Sequence, residues 1–410
     1  MAESKSAALP LGYAPRRRPF AGATILRRPV RINRAVARPA EFREPGRRDV
    51  RTAARPLGVR RPCDTPPAGG APGRHAPAAK ILLTPGHRQR DMVEIPSPMH
   101  PMTTLYITHP AALDHIPPLG HPERPDRIRV VDRVLEQEAF QSLARDQAPV
   151  CAIDRIALCH TQDYIDAIRE AAPTEGMVQL DSDTSMSPGT YEAALRAVGG
   201  AVLAVDEVMT GRVANAFCAM RPPGHHAEIT QPMGFCFFNN AAIAARHARD
   251  RHGAERVAVI DFDVHHGNGT QDILWADRNV MYCSTHEMPL YPGTGAASER
   301  GEHGTIVNAP LRAGDGGDEF QEAFESVIIP RLLGFRPDLV VLSAGFDAHM
   351  RDPLANINLL EPDYTWVTKR MMDVADTCCG GRLVSLLEGG YDLQGLARSV
   401  AVHVTALMRG

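Results

Sequence analysis

The stretch Arg256-Val257-Ala258-Val259-Ile260, running straight into Asp261-Phe262-Asp263-Val264-His265-His266-Gly267-Asn268-Gly269, decides the fold. Its first half is almost continuously apolar, as a strand buried on both faces of a parallel sheet must be. Its second half is polar, titratable and rich in glycine, which suits a loop at the strand's carboxyl end. That is where open parallel sheets bind their ligands. The same pattern recurs twice. Leu339-Val340-Val341-Leu342 leads into Ser343-Ala344-Gly345-Phe346-Asp347, and Leu383-Val384-Ser385-Leu386-Leu387 leads into Glu388-Gly389-Gly390-Tyr391-Asp392. Tyr191 to Met209 reads as a helix with Gly211 just past its end. Ala241–Arg251 reads as another, capped by Asn239-Asn240. Strands are also expected at 102–108 and 213–219. Strands alternating with helices predict an α/β fold, with a mainly parallel central sheet flanked by helices and long active-site loops at the strand carboxyl ends.

Outward from this region the chain changes character. Residues 1–101 hold 18 Arg and 2 Lys against 7 acids, so about +13 of charge stands before a body of about −16 in a chain whose net charge is −3. This segment, rich in Arg, Pro, Ala and Gly, shows no lasting period. It cannot bury enough apolar area to offset chain entropy, and is expected to be a disordered basic extension. Three roles compete for it: an arm for anionic surfaces or nucleic acid, a transit peptide, or sequence upstream of a working start at Met102. Residues 102–410 show no repeat and no linker, and read as one domain. The eight cysteines form no CxxC pair, so they read as thiols in a reducing compartment, with a cytoplasmic location expected. No run of about 18 apolar residues suggests a membrane span.

Chemistry collects in the loops. Along an extended segment Asp261, Asp263 and His265 project to one side. Two carboxylates and an imidazole on one face repel unless a cation sits among them, and a second strand delivers Asp347 nearby. Oxygen donors with one nitrogen leave an open coordination position, as in catalytic zinc sites. The donor types also permit Fe(II), Co(II) or Mn(II). The tandem His225-His226, after Pro222-Pro223-Gly224, suits proton transfer beside a metal cluster that lacks its own base. Phe235, Phe237 and Phe238 divide into two core residues and one other. Cys378-Cys379 reads as core, and His349 and Arg351 either as pocket rim or as a solvated loop. Asp181 and Asp183 either hold a cationic substrate or cap the next helix.

Seven segments together carry a family resemblance: Gly120-His121-Pro122-Glu123-Arg124-Pro125, Arg221 to Ala227, Gly234 to Asn240, Asp261 to Gly269, Tyr291-Pro292-Gly293-Thr294-Gly295, Ser343 to Asp347, and Glu388 to Tyr391. In this order they resemble the histone deacetylase and acetylpolyamine amidohydrolase family over roughly residues 104–405, closer to its class II and bacterial branches. The resemblance implies Asp263, His265 and Asp347 as ligands of one Zn2+. It implies His226 as general base, His225 as its electrostatic partner, and Asp261 as the carboxylate pairing with His225. Asn268 stands where class I members carry an aspartate facing the second histidine. Tyr391 would donate to the developing oxyanion. Phe235 and Tyr291 would flank the tunnel, with Gly224 and Gly389 beside the substrate. A structural K+ would sit on the 261–265 backbone and Ser284.

The implied reaction is hydrolysis of an acetamide by metal-activated water, on an acetyl-lysine peptide or on an acetylated small amine such as an acetylpolyamine. Two other classes compete. An arginase-like binuclear manganese hydrolase needs further Asp or His ligands in the same cluster. A non-enzymatic regulator would lack a ligand, the base or the tyrosine, and none is missing. The acidic body argues against nucleic acid as a partner of the folded domain. Oligomeric state stays open.

Overall fold

A computed structural model describes residues 103–409; the readings made for residues 1–101 and for Met102 lie outside the described residues. Eight strands form one sheet: β1 (Thr104–Thr108), β2 (Ala144–Gln147), β5 (Asn215–Cys218), β6 (Val257–Asp261), β7 (Val280–Glu287), β8 (Ile306–Leu311), β9 (Leu339–Ala344) and β10 (Leu383–Leu387). Their order is β2-β1-β5-β10-β9-β6-β7-β8, and every neighbouring pair is parallel. A small antiparallel pair, β3 (Val178–Gln179) and β4 (Ser185–Met186), stands apart.

The helices are α1 (Asp126–Leu135), α2 (Ile153–Ile156), α3 (Gln162–Ala171), α4 (Thr190–Met209), α5 (Asn240–His252), α6 (Asn268–Leu274), α7 (Gly317–Ala323), α8 (Ile329–Phe335), α9 (Glu361–Cys379) and α10 (Leu393–Leu407). Helices α4 and α5 pack together on one face of the sheet, and α1, α9 and α10 pack together on the other. β6, β9 and β10 are buried along their whole length. That is why they read as unbroken apolar runs rather than alternating ones.

Local signals place the ends. Asn239 caps α5, its Oδ1 accepting from the Ala242 amide at 2.9 Å, and Gly253 closes the helix in the left-handed conformation. β6 runs one residue further than its apolar run. Asp261 keeps register with Ser284 on one side and Ser343 on the other. A buried carboxylate is tolerated there because it accepts from the Asp263 amide and from the Tyr282 hydroxyl at 2.9 Å.

Beneath the strand ends lies a buried ionic cluster. The Glu123 carboxylate accepts from Arg221 Nη2 at 2.6 Å and Arg127 Nη1 at 3.1 Å, with His115 Nε2 at 3.3 Å. Glu123, Arg127 and Arg221 are fully buried. Arg127 also donates from Nε to the Gly390 carbonyl at 2.7 Å and from Nη2 to that of Glu388, so the cluster braces the loop that carries Tyr391. Burial alone would raise the Glu123 pKa, but Arg221 and His115 outweigh it and hold it well below its ordinary 4.5. Removing one member of a buried ion cluster strands the others, at about 3–5 kcal/mol. Glu123→Gln is therefore expected to lose about that much stability in urea denaturation at pH 7. Because the folded pKa is depressed, the stabilisation is present above the unfolded pKa and fades as pH falls below it. The gap between wild type and variant should narrow accordingly; a gap independent of pH would refute the ionic account.

Candidate active site and metal centre

Three loops at the carboxyl edge of the sheet converge. Asp263 and His265 follow β6, and Asp347 follows β9. One donor atom from each lies within 4.8 Å of the others, and all three residues are buried. His265 Nδ1 stands 3.2 Å from Asp263 Oδ1 and 3.1 Å from Asp347 Oδ2. Donors about 2.0–2.1 Å from a tetrahedral divalent ion would lie about 3.3 Å apart, which these two distances approach. The carboxylates are held by backbone amides: Gly389 N donates to Asp263 Oδ2 at 2.7 Å, and Val264 N to Asp347 Oδ1 at 2.9 Å. A Cβ on Gly389 would fall 2.1 Å from Asp347 Oδ2 and 2.5 Å from Asp263 Oδ2. The residue must be glycine for the two acids to share this space. Donor set, spacing and cradle all fit one divalent ion.

The tandem histidines have distinct surroundings. His225 Nδ1 lies 3.1 Å from Asp261 Oδ2, and its Nε2 lies 3.9 Å from Asp263 Oδ1. Burial would lower its pKa, but the carboxylates of Asp263 and Asp261 outweigh burial and raise it to about 10. His226 moves the other way: burial, then the neighbouring His225 and His265, hold it well below the ordinary imidazole value. Its Nδ1 lies 2.8 Å from Asn268 Oδ1, while Asn268 Nδ2 donates to Glu228 Oε1 at 2.8 Å. Glu228 thus fixes the amide, which turns its oxygen to His226. His226 Nδ1 is then the donor, and Nε2 keeps its lone pair. The two rings thus differ in surroundings: carboxylates face His225, and an amide oxygen faces His226.

A pocket of about 190 Å³ opens over this cluster, walled by His226, His265, Phe235, Tyr291, Tyr391, Leu290, Leu354, Gly234 and Asp183. The Phe235 ring meets that of Tyr391 edge-on at 5.9 Å, and Tyr291 meets His226 at 5.1 Å. Arg127 lies 4.9 Å from the Tyr391 ring centroid, and Asp352 accepts from the Tyr391 amide at 2.7 Å. Burial, only partly offset by Arg127, raises the Tyr391 pKa well above its ordinary value, so its hydroxyl keeps its proton and donates.

Most residues singled out in the sequence meet here, and some do not. Asp261 pairs with His225, as the resemblance implies, with Oδ2 3.1 Å from Nδ1. Gly224 and Gly389 stay behind the pocket wall. The Gly224 amide donates to Glu388 Oε2 at 2.6 Å, and a Cβ there would strike the Asn240 amide at 2.6 Å. Ser284 is buried on β7, with Oγ 2.9 Å from His286 Nδ1. Phe237 and Phe238 are core, while Phe235 lines the pocket. Asp183 is no helix cap; it walls the pocket and accepts from the Gly234 amide at 3.1 Å. His349 is buried instead of sitting on the rim, and Arg351 pairs with Asp392 at 2.9 Å. Cys379 is buried and Cys378 half-buried.

Sequence reading gave no role to Glu388, Glu228, Arg127 or Asp352. Glu388 is fully buried, with its pKa raised to about 6 by burial, and it accepts from the amides of Gly224 and His225 and from Ser343 Oγ. Its partners lie 45 to 164 residues away. Only the Glu123–Arg127 spacing of four residues was a usable local signal.

Comparison with known proteins agrees with this geometry. The histone deacetylase domain model matches residues 121–407. The histone deacetylase-like amidohydrolase of Pseudomonas aeruginosa is 39% identical over 277 residues, spanning 66% of this chain and 73% of that protein. The chloroplastic histone deacetylase 10 of Oryza sativa subsp. japonica is 38% identical over 317 residues, 72% of this chain and 71% of that one. The crystal structure of the HDA15 HD domain aligns with a TM-score of 0.71 at 35% identity, covering 75% of this chain and 89% of that one. Fold and site define an amide-cleaving α/β hydrolase, and the chain belongs to the histone deacetylase family. No helix among the described residues is long and apolar enough to cross a membrane.

Proposed function

We propose that residues 102–410 form a zinc-dependent deacetylase that removes acetyl groups from acetyl-lysine or from acetylated small amines. The observation that carries this is the convergence of Asp263, His265 and Asp347 beneath a pocket that also receives His226 and Tyr391. Zinc held by those three residues would supply Lewis-acid polarisation of the amide carbonyl and a water acidified to near neutrality. His226 Nε2 takes the water's proton, since its Nδ1 proton is committed to Asn268. The same nitrogen then hands a proton to the leaving amine. His225, oriented by its pairing with Asp261, stands beside His226 as its electrostatic partner. The Tyr391 hydroxyl donates to the oxyanion. Phe235, Tyr291, Leu290 and Leu354 close on an aliphatic stem. The backbone at 261–265, with Ser284, would hold the structural K+.

Asp183 on the pocket wall favours a second emphasis, a small cationic amine in place of a protein segment. The deciding experiment supplies zinc to the purified protein and offers an acetyl-lysine peptide and an acetylpolyamine in parallel, with His226→Ala as control. Turnover lost in His226→Ala supports the reading, and the preferred substrate names the branch. No turnover on either by folded, zinc-loaded protein would sink it.

A further inference from the structure

A second convergence of metal-ligating side chains lies at the far end of α5. Asp206, in the last turn of α4, His247 near the end of α5 and His252 at its final position bring one donor atom each within 4.8 Å of one another. Asp206 Oδ1 lies 2.9 Å from His247 Nε2 and 2.6 Å from His252 Nε2. We infer that Asp206, His247 and His252 form a binding site for a second divalent transition ion, separate from the centre at Asp263.

Three features carry the inference. Both rings aim the same nitrogen at the same carboxylate oxygen, so three donors converge on one point. Reaching a tetrahedral polyhedron with bonds of about 2.0–2.1 Å requires each ring nitrogen to part from the carboxylate oxygen by less than about 1 Å. The polar contact that fixes the His247 ring is at this point, because its other nitrogen is buried without a partner. The site is also reachable: the Asp206 side chain is 35% exposed and that of His252 15%. Nearby Asp250 is occupied by Arg155 at 2.6 Å, so the remaining coordination positions fall to water. Two imidazoles and one carboxylate select a borderline ion of the zinc or nickel kind over magnesium or calcium. α5 starts beside Gly224 and ends here; its 13 residues span about 20 Å. Ions at the two sites would therefore not share ligands, and the outer one would tie α4 to α5.

The test compares zinc bound per chain in the full-length wild type, Asp206→Asn, His252→Ala and Asp263→Asn, by calorimetric titration with Zn2+ and by metal analysis after desalting. The expected result is one equivalent fewer in Asp206→Asn and in His252→Ala than in wild type, with amide hydrolysis by His252→Ala unchanged. Asp263→Asn should lose a different equivalent and keep the one that His252→Ala lacks. His252 is partly exposed at a helix end, and circular dichroism checks that its variant folds. Equal zinc content in wild type, Asp206→Asn and His252→Ala would overturn the inference. Loss confined to Asp263→Asn would overturn it too, while leaving the catalytic reading standing.

Discussion

Tyr391→Phe is expected to lower kcat by about 10²–10³-fold, the usual cost of deleting one oxyanion donor. KM and zinc content should stay close to wild type. The change removes only a hydroxyl. The ring stays held by Phe235 on one side and Arg127 on another, and the backbone stays held by Asp352. Burial keeps the phenol protonated, so what is lost is a donor and not a charge. Single-turnover kinetics on an acetyl-lysine peptide would read the effect directly. A loss confined to KM would mean that the hydroxyl binds the ground state, and the assignment as oxyanion donor would fall.

Gly389→Ala should be equally damaging by another route. The added methyl would sit where Asp347 Oδ2 and Asp263 Oδ2 now lie. It would force the two carboxylates apart and pull the Gly389 amide off Asp263. Displacing groups that orient ligands costs about 10–100-fold in metal affinity or activity, and here the ligands themselves are displaced. Competition against a zinc chelator would measure it, with circular dichroism to verify the fold. Wild-type zinc affinity in this variant would show that Asp263 and Asp347 do not bind the ion together.

How much of this was legible beforehand follows from what each residue needed. Strands β6, β9 and β10 were readable because burial on both faces leaves a continuous apolar run, and Asp263, His265, Asp347 and Tyr391 came with them as the residues that follow. His225 and His226 stood out as a pair. The supporting residues did not. Glu123 serves by meeting Arg221, 98 residues on, and Glu388 by meeting the Gly224 amide, 164 residues back. No local period encodes such a meeting. Asp183 was read as either cap or binding residue, and its tie to the Gly234 amide needed the fold to be seen.

The strand order has a consequence for how the chain is made. β10, the last of the eight sheet strands in chain order, lies in the middle of the sheet, between β5 and β9. Until residues 383–387 emerge, β2-β1-β5 and β9-β6-β7-β8 remain two half-sheets, each with an apolar edge lacking its neighbour. Unpaired edges of that kind recruit other chains. A nascent or truncated chain therefore carries an aggregation hazard over most of its length. The same segment that completes the eight-stranded sheet brings Tyr391 to the pocket four residues later, so central pairing and pocket wall arrive together.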